Sequence, residues 1–141
     1  MILPDVNVLL TAFRPDATDH KTNNRWLTSV VSASGDFGMS PQVLSSVIRI
    51  ASNPVIYAQP TPTAEVISFA TALLKQPNCR VIQPGRRHWA IFCDLCNRAG
   101  SKGKHVPDAW LAALAIEHDC EWISADKGFA RFPGLRWRGI E

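Results

Sequence analysis

The sequence predicts an α/β fold built around a mainly parallel sheet. Short apolar segments alternate along the chain with longer segments whose apolar residues recur at helical spacing. Strands that are separated by helices pair in parallel, with the helices covering the sheet. The connections are short and the chain has 141 residues, so we expect residues 1–141 to form a single domain.

The first half of the chain is predicted to contain two strands and three helices. Ser40 and Pro41 are the clearest start signal, because serine is a favoured N-cap and proline a favoured first helical residue. Gly35 is the expected end of the second helix. In order, we predict a strand over 1–6, helices over 6–13 and 19–35, a strand over 36–40 and a helix over 40–54.

The second half continues the alternation. Thr61 or Thr63 is the expected cap of a helix that has apolar residues at helical spacing, and Gly100 is the expected end of the next helix. The run 101–107 reads as a flexible basic loop. We predict helices over 61–77, 85–100 and 108–119, which alternate with strands over 79–84, 120–126 and 134–140.

Composition limits the classes of function. Apolar residues make up 46% of the chain, and 15 basic against 12 acidic residues give a formal charge of +3. This mild excess permits an anionic partner without requiring one. No apolar run approaches the roughly 18 residues of a membrane span, and no signal peptide is recognisable, so we expect a cytoplasmic protein without membrane contact.

The cysteine pattern offers two interpretations. Cys93 and Cys96 form a CxxC motif, which occurs in zinc sites and redox centres. A zinc site calls for a second pair of ligands, and Cys79 and Cys120 are not spaced as one. We therefore favour reduced thiols with packing roles over a metal site or a disulfide bond.

Three aspartates occupy similar positions in the predicted fold. Asp5 ends the first strand and Asp126 ends a later one, and α/β sheets bind ligands beyond the carboxyl ends of their strands. Asp108 begins an apolar helix and shares a face with Leu111 and Ala115, so its side chain is predicted to point inward. We expect the three carboxylates to converge in one crevice.

Each acidic residue also has an ordinary structural explanation. Asp5 would be explained by pairing with an arginine, Asp108 by the favourable helix dipole, and Asp126 by a turn. Asn7 either orients a carboxylate or caps the following helix. Taken together, three inward acids without an obligatory basic partner repel one another unless a cation is present.

Carboxylates with few histidines are hard oxygen ligands, which suit Mg²⁺ or Mn²⁺. Ions held in this way serve phosphoryl transfer, and a nuclease combines such a centre with a basic rim. Walker, GxGxxG and GxSxG motifs are absent from the sequence. The candidate RNA-binding residues are Arg86, Arg87, Lys102, Lys104 and Lys127.

The residues resemble those of a PIN domain, and specifically of a VapC-type toxin ribonuclease from a type II toxin–antitoxin system. The matching stretches are LPDVNVLL, SPQVLSSVIRIASNP, VPDAWLAALAIEHDC and WISADKGFARFPGLRW, in the family's order over nearly the whole chain. The resemblance implies a three-layer α/β/α sandwich and a Mg²⁺- or Mn²⁺-dependent endoribonuclease that cleaves structured RNA such as tRNA or rRNA. It also implies a VapB-type antitoxin and a homodimer.

Carried over by motif, Asp5, Asp108 and Asp126 match the family's first, third and fourth acids, as catalytic residues and metal ligands. Asn7 and Ser124 match supporting polar positions.

The sequence departs from the family at the second acid. By the flanking pattern this position is Ser46, whose hydroxyl is a poor Mg²⁺ ligand. Three hypotheses therefore remain open. They are an active ribonuclease, a catalytically weak or inactive PIN-like module that binds RNA or antitoxin, and a phosphatase of another α/β family.

Overall fold

A computed structural model describes residues 1–140 of the chain. Its strands are β1 (Ile2–Pro4), β2 (Phe37–Met39), β3 (Cys79–Val81), β4 (Glu121–Ile123) and β5 (Trp137–Arg138). Its helices are α1 (Val6–Phe13), α2 (His20–Ser32), α3 (Pro41–Ala51), α4 (Thr63–Leu74), α5 (His88–Ala99) and α6 (Val106–Glu117). Two short 3₁₀ turns span Gly103–His105 and Lys127–Arg131.

The strands pair in parallel, as the alternation of elements predicts. One ladder has the order β1-β4-β5, and β2 pairs with β3 in a second ladder. The two ladders adjoin where β2 passes β1, because a Cβ on Gly38 would lie 3.1 Å from the carbonyl oxygen of Ile2. Glycine at this position permits the close approach of the two backbones.

The helices form two groups with the strands between them. Helix α1 packs against α2 and α3, and α3 packs against α4, whereas α5 packs against α6. This arrangement is the predicted three-layer α/β/α sandwich. The core includes Leu3, Trp122 and the alanine-rich face of α6, all of which are inaccessible to solvent. Within residues 1–140, every helix is too short or too polar to cross a membrane.

Two predicted helix boundaries agree with the structure. The Ser40 hydroxyl accepts a hydrogen bond from the Val43 amide at 3.3 Å, and Pro41 is the first residue of α3. Helix α5 ends at Gly100, which adopts the left-handed conformation with φ of 61°. Both features are local, so the sequence alone determines them.

Other predicted boundaries are wrong. Helix α2 ends at Ser32 and not at Gly35, because Ala33 is already extended. The side-chain amide of Asn78 donates hydrogen bonds to the carbonyls of Val31, Ala33 and Gly35, and it holds this segment out of the helix. A residue more than 40 positions away thus decides where α2 stops.

The capping of α4 and the form of the basic loop also differ from the prediction. Pro62 is the N-cap residue of α4 and offers no side-chain cap, while the Thr61 hydroxyl accepts a hydrogen bond from Arg14. Residues 101–107 are not simply a loop, because the 3₁₀ turn within them runs directly into α6 at Val106. The position of Lys104 is therefore tied to the start of α6.

We expect Ser40→Ala to lower the free energy of unfolding by about 1 kcal/mol, the usual cost of losing an N-cap side chain. Ser40 is 1% exposed, so water cannot readily replace the lost acceptor. Urea denaturation measures the effect. Ser45→Ala, on the exposed side of the same helix, is the matched control and should be neutral or slightly stabilising. Equal stability of the two variants would show that the cap contributes nothing.

Candidate active site

Asp5 lies where β1 passes directly into α1. Its amide donates a hydrogen bond to the Ile123 carbonyl at 2.8 Å, which joins the end of β1 to β4. Its Oδ1 accepts a hydrogen bond from the Val6 amide at 2.6 Å, so Asp5 is the N-cap of α1. The residue is only 6% exposed. Asp5 forms no ion pair within the part of the chain that the structure describes, so arginine pairing does not explain it.

Ser124 and Asn7 hold the Asp5 carboxylate in place. The Ser124 hydroxyl donates to Asp5 Oδ2 at 2.6 Å, and Asn7 Nδ2 lies 3.3 Å from the same oxygen. Asn7 Nδ2 also lies 3.1 Å from Ser124 Oγ, and its Oδ1 accepts from the Ala125 amide at 3.1 Å. Asn7 thus bridges α1 and the segment after β4. Of its two predicted roles, the structure supports orientation of the carboxylate.

Asp126 follows Ser124 beyond the end of β4. Its amide donates to the Ser124 hydroxyl at 3.0 Å, which links it to the Asp5 network. Its Oδ1 accepts from the Gly128 amide at 2.8 Å and caps the turn Lys127–Arg131. A role in a turn therefore accounts for one of the two carboxylate oxygens of Asp126. The residue is exposed to solvent.

Asp108 occupies the first turn of α6, and its side chain is 27% exposed. Arg131 Nη1 lies 3.6 Å from Asp108 Oδ2, and His105 Nδ1 lies 3.7 Å from the same atom. The Arg131 guanidinium also contacts His105 Nδ1 at 2.8 Å. The expectation that the acids lack a basic partner is therefore wrong for Asp108. No spacing in the sequence indicates this contact, since the 3₁₀ turn brings Arg131 back toward α6.

The charges of the three acids influence one another. Burial raises the pKa of Asp5 above its ordinary value of 3.8, and the charges of Asp108 and Asp126 raise it further. The hydrogen bonds from Ser124 and Val6 lower this pKa, but they offset only part of the rise. Burial and the charge of Asp126 also raise the pKa of Asp108, while Arg131 counteracts part of this effect. Ionisation of Asp5 and of Asp108 is therefore disfavoured in the absence of further positive charge.

The donor atoms fit a divalent cation in their chemistry. Asp5, Asp108 and Asp126 present carboxylate oxygens, which are the preferred ligands of Mg²⁺ and Mn²⁺. Among residues 1–140, no group of three histidine, cysteine, aspartate or glutamate side chains stands at coordinating distance in this conformation. All four cysteines are free thiols, and those of the CxxC motif lie half-buried on α5.

The basic candidates divide into two sets. Lys102 and Lys104 lie in the segment that leads into α6, and Lys127 follows Asp126, so these three are close to the acids in sequence.

Arg86 and Arg87 lie elsewhere. The Arg87 amide and guanidinium donate to Glu117 at 2.9 and 2.8 Å. Glu117 ends α6, nine residues or about 14 Å along the axis from Asp108. This pair of arginines is therefore at the opposite end of the helix from the acid cluster.

Ser46 is half-buried on α3. In the part of the chain that the structure describes, its hydroxyl makes no hydrogen bond to the acids, to Asn7 or to Ser124. The structure thus brings together Asp5, Asn7, Ser124, Asp108 and Asp126, and it does not connect Ser46 to them.

The fold and the acid cluster define a class of protein. A parallel α/β/α sandwich is the fold of a PIN domain, and the acids after β1 and β4 stand at the positions that the resemblance assigns to the first and fourth acids of that family. The model of the PIN domain family matches residues 2–135, and the chain belongs to this family.

The similar sequences are VapC ribonucleases. Ribonuclease VapC31 of Mycobacterium tuberculosis is 39% identical over 136 residues, which cover 96% of each chain. Ribonuclease VapC43 of the same species is 37% identical over 138 residues, covering 98% of this chain and 94% of that protein. The chain is therefore a VapC-type member of the family.

Solved structures show the same fold at low sequence identity. VapBC2 from Rickettsia felis, bound to a DNA fragment from its promoter, has a TM-score of 0.72 at 14% identity, with both chains fully covered. VapC20 of Mycobacterium tuberculosis, described as a sarcin-ricin loop cleaving toxin, has a TM-score of 0.69 at 15% identity. The match to VapC20 covers 96% of this chain and 99% of that one.

Proposed function

We propose that the chain is a metal-dependent endoribonuclease and the toxin of a VapBC pair. The observation that carries the proposal is the buried Asp5 carboxylate, which Ser124 and Asn7 orient toward the charges of Asp108 and Asp126. An oriented but electrostatically unfavourable carboxylate is typical of a functional site rather than of a stabilising contact. The ribonuclease names of the sequence relatives support the same reaction class.

Asp5, Asp108 and Asp126 are the residues that would hold Mg²⁺ or Mn²⁺. When bound, such an ion would activate water and neutralise charge on the scissile phosphate. Ser124 and Asn7 fix the direction of the Asp5 oxygens, so that ligand geometry need not be created during the reaction. Arg131 and His105 position the Asp108 carboxylate at the start of α6.

Lys102, Lys104 and Lys127 are proposed to bind the RNA backbone beside the acids. Ammonium groups contact phosphates without reading sequence, so they bring the strand to the site and hold it there. Because Arg86 and Arg87 lie at the far end of α6, we assign them at most contacts with a distant part of the RNA.

The proposed substrate is structured RNA such as tRNA or rRNA, and the proposed partner is a cognate VapB-type antitoxin. The structural neighbour VapC20 is described as cleaving the sarcin-ricin loop, which supports a structured RNA target for this chain. Several structural neighbours are toxin–antitoxin complexes, including VapBC-1 from nontypeable Haemophilus influenzae. We also propose that the chain forms a homodimer and acts in the cytoplasm, where such RNA is found.

The experiment that tests the proposal is sequencing of RNA 5′ ends after brief expression of the protein in a bacterial host. New ends at a few defined positions are expected with the parent protein and not with Asp108→Asn. RNA that remains intact with the parent, or identical cleavage with the variant, contradicts the proposal.

A second candidate function is favoured by the residue at position 46. The resemblance places the family's second acid at Ser46, so in this second function the chain would bind RNA or antitoxin while cleaving RNA slowly or not at all. Loss of one carboxylate weakens metal binding, since each ligand contributes charge and orientation.

Ser46→Glu is therefore expected to raise the rate of RNA cleavage by about tenfold or more, the scale on which metal-site ligation affects activity. The rate is measured on purified protein with Mn²⁺ present. Ser46→Gln is the control, because glutamine has the size of glutamate but no charge, and it should not show the gain. Equal rates for the parent and Ser46→Glu would mean that position 46 does not supply the missing ligand.

A further inference from the structure

A cavity of about 370 Å³ adjoins the acid cluster on the side of α2 and β5. Ser124 and Ala125, which belong to the Asp5 network, form its boundary with the acids. The cavity therefore opens beside the place where a scissile phosphate would lie, and its size lies within the usual range for small-molecule pockets.

One part of the wall is apolar and fixed in position. Trp137 lines the cavity, and its indole N–H donates to the Ser124 carbonyl at 3.0 Å. This bond ties the indole to the same residue that orients Asp5. Val8 and Ile140 add aliphatic surface. An aromatic ring anchored in this way beside aliphatic side chains is suited to contact with the flat face of a nucleobase.

Other residues of the lining are polar. Asp19 and Thr22 lie at the exposed start of α2, and Asp19 makes no side-chain cap bond to the helix. Asp19 also forms no ion pair within residues 1–140. Asn23 donates through Nδ2 to the Thr11 hydroxyl, so its Oδ1 is the atom left for a ligand. Lys127 supplies an ammonium group at the border with the acids.

We propose that this cavity binds an unpaired guanine next to the RNA bond that is cut. The inference rests on the proposed ribonuclease function. An ionised carboxylate only accepts hydrogen bonds, and the Watson–Crick edge of guanine presents two adjacent N–H donors, at N1 and N2, which a carboxylate accepts together. Adenine and the pyrimidines lack this pair of adjacent donors. Asp19 thus selects the base, Trp137 supports its face, and Lys127 contacts the adjoining phosphate.

The first test maps cleavage of a random-sequence single-stranded RNA by the purified protein with Mn²⁺. We expect guanine at a fixed position beside the cut, and a roughly tenfold loss of that preference in Asp19→Asn, as expected when a bidentate base contact is broken. Asp94→Asn is the matched control, because Asp94 is an exposed aspartate on α5 that pairs with Arg98 away from the cavity. The control should keep the parental preference.

The second test measures binding and does not depend on cleavage. Asp5→Asn, which is expected not to cut, is titrated with fluorescent five-nucleotide RNAs that carry guanine, inosine or adenine at the centre. Tighter binding of guanine than of inosine is expected, because inosine lacks the N2 amino group, and adding Asp19→Asn should remove the difference. If the parent protein cuts no RNA, the proposed ribonuclease function is contradicted. The guanine site is then still tested, because the binding experiment does not require cleavage.

Equal affinity for the three oligonucleotides, or an unchanged cleavage preference in Asp19→Asn, overturns the proposal.

Discussion

Asp5→Asn is expected to lower the rate of RNA cleavage by at least about 100-fold, which is the usual scale when a group that stabilises transition-state charge is lost. Asparagine keeps the shape of the side chain and one acceptor oxygen, but it removes the charge that would hold a cation. The rate is measured on a purified RNA substrate with Mn²⁺, and circular dichroism confirms that the variant is folded.

Asp94→Asn controls for the loss of one negative charge from the surface. Asp94 and Arg98 are both more than half exposed, so their pair contributes little to stability. The control should cleave RNA at the parental rate. If Asp5→Asn cuts as fast as the parent, Asp5 is not part of the catalytic centre, and the buried carboxylate then serves only as the cap of α1.

Addition of Mn²⁺ or Mg²⁺ is expected to raise the melting temperature of the parent protein at neutral pH. A ligand that binds only the folded state stabilises it by about 2.7 kcal/mol at a concentration of 100 times its Kd. The cation would also relieve the repulsion among the three carboxylates. Differential scanning fluorimetry measures the shift, and EDTA should reverse it.

The rise in melting temperature that the metal produces should depend on pH in a defined direction. The pKa values of Asp5 and Asp108 are raised in the folded protein, so without metal these groups favour folding at low pH. That contribution is lost as the pH rises through the raised pKa values. Metal binds the ionised carboxylates, so its stabilising effect should be largest at neutral pH and should vanish as the pH falls toward 3.8, their ordinary value.

Asp108→Asn should show a much smaller shift with metal at neutral pH, while Asp94→Asn should respond as the parent does. A shift of equal size in all three proteins would mean that the cation binds outside the acid cluster. Because this measurement does not depend on catalysis, it tests the metal assignment even if the chain cleaves RNA slowly.

The order of strands and helices follows from the sequence because it depends on local patterns. Apolar periodicity, the Ser40–Pro41 start and the Gly100 stop act over a few residues, and the structure agrees with them. The boundary of α2 fails because it depends on a distant residue, Asn78. The start of α6 differs for a local reason, since the 3₁₀ turn Gly103–His105 runs directly into the helix.

The candidate site divides in the same way. The sequence by itself determines that acids end β1, follow β4 and begin α6, because those positions are set by residue type and by the order of elements. Only the tertiary structure decides that Ser124 donates to Asp5, that Arg131 approaches Asp108 and that Arg87 binds the far end of α6. These contacts form between residues that meet only when separate elements pack together, so no local pattern specifies them.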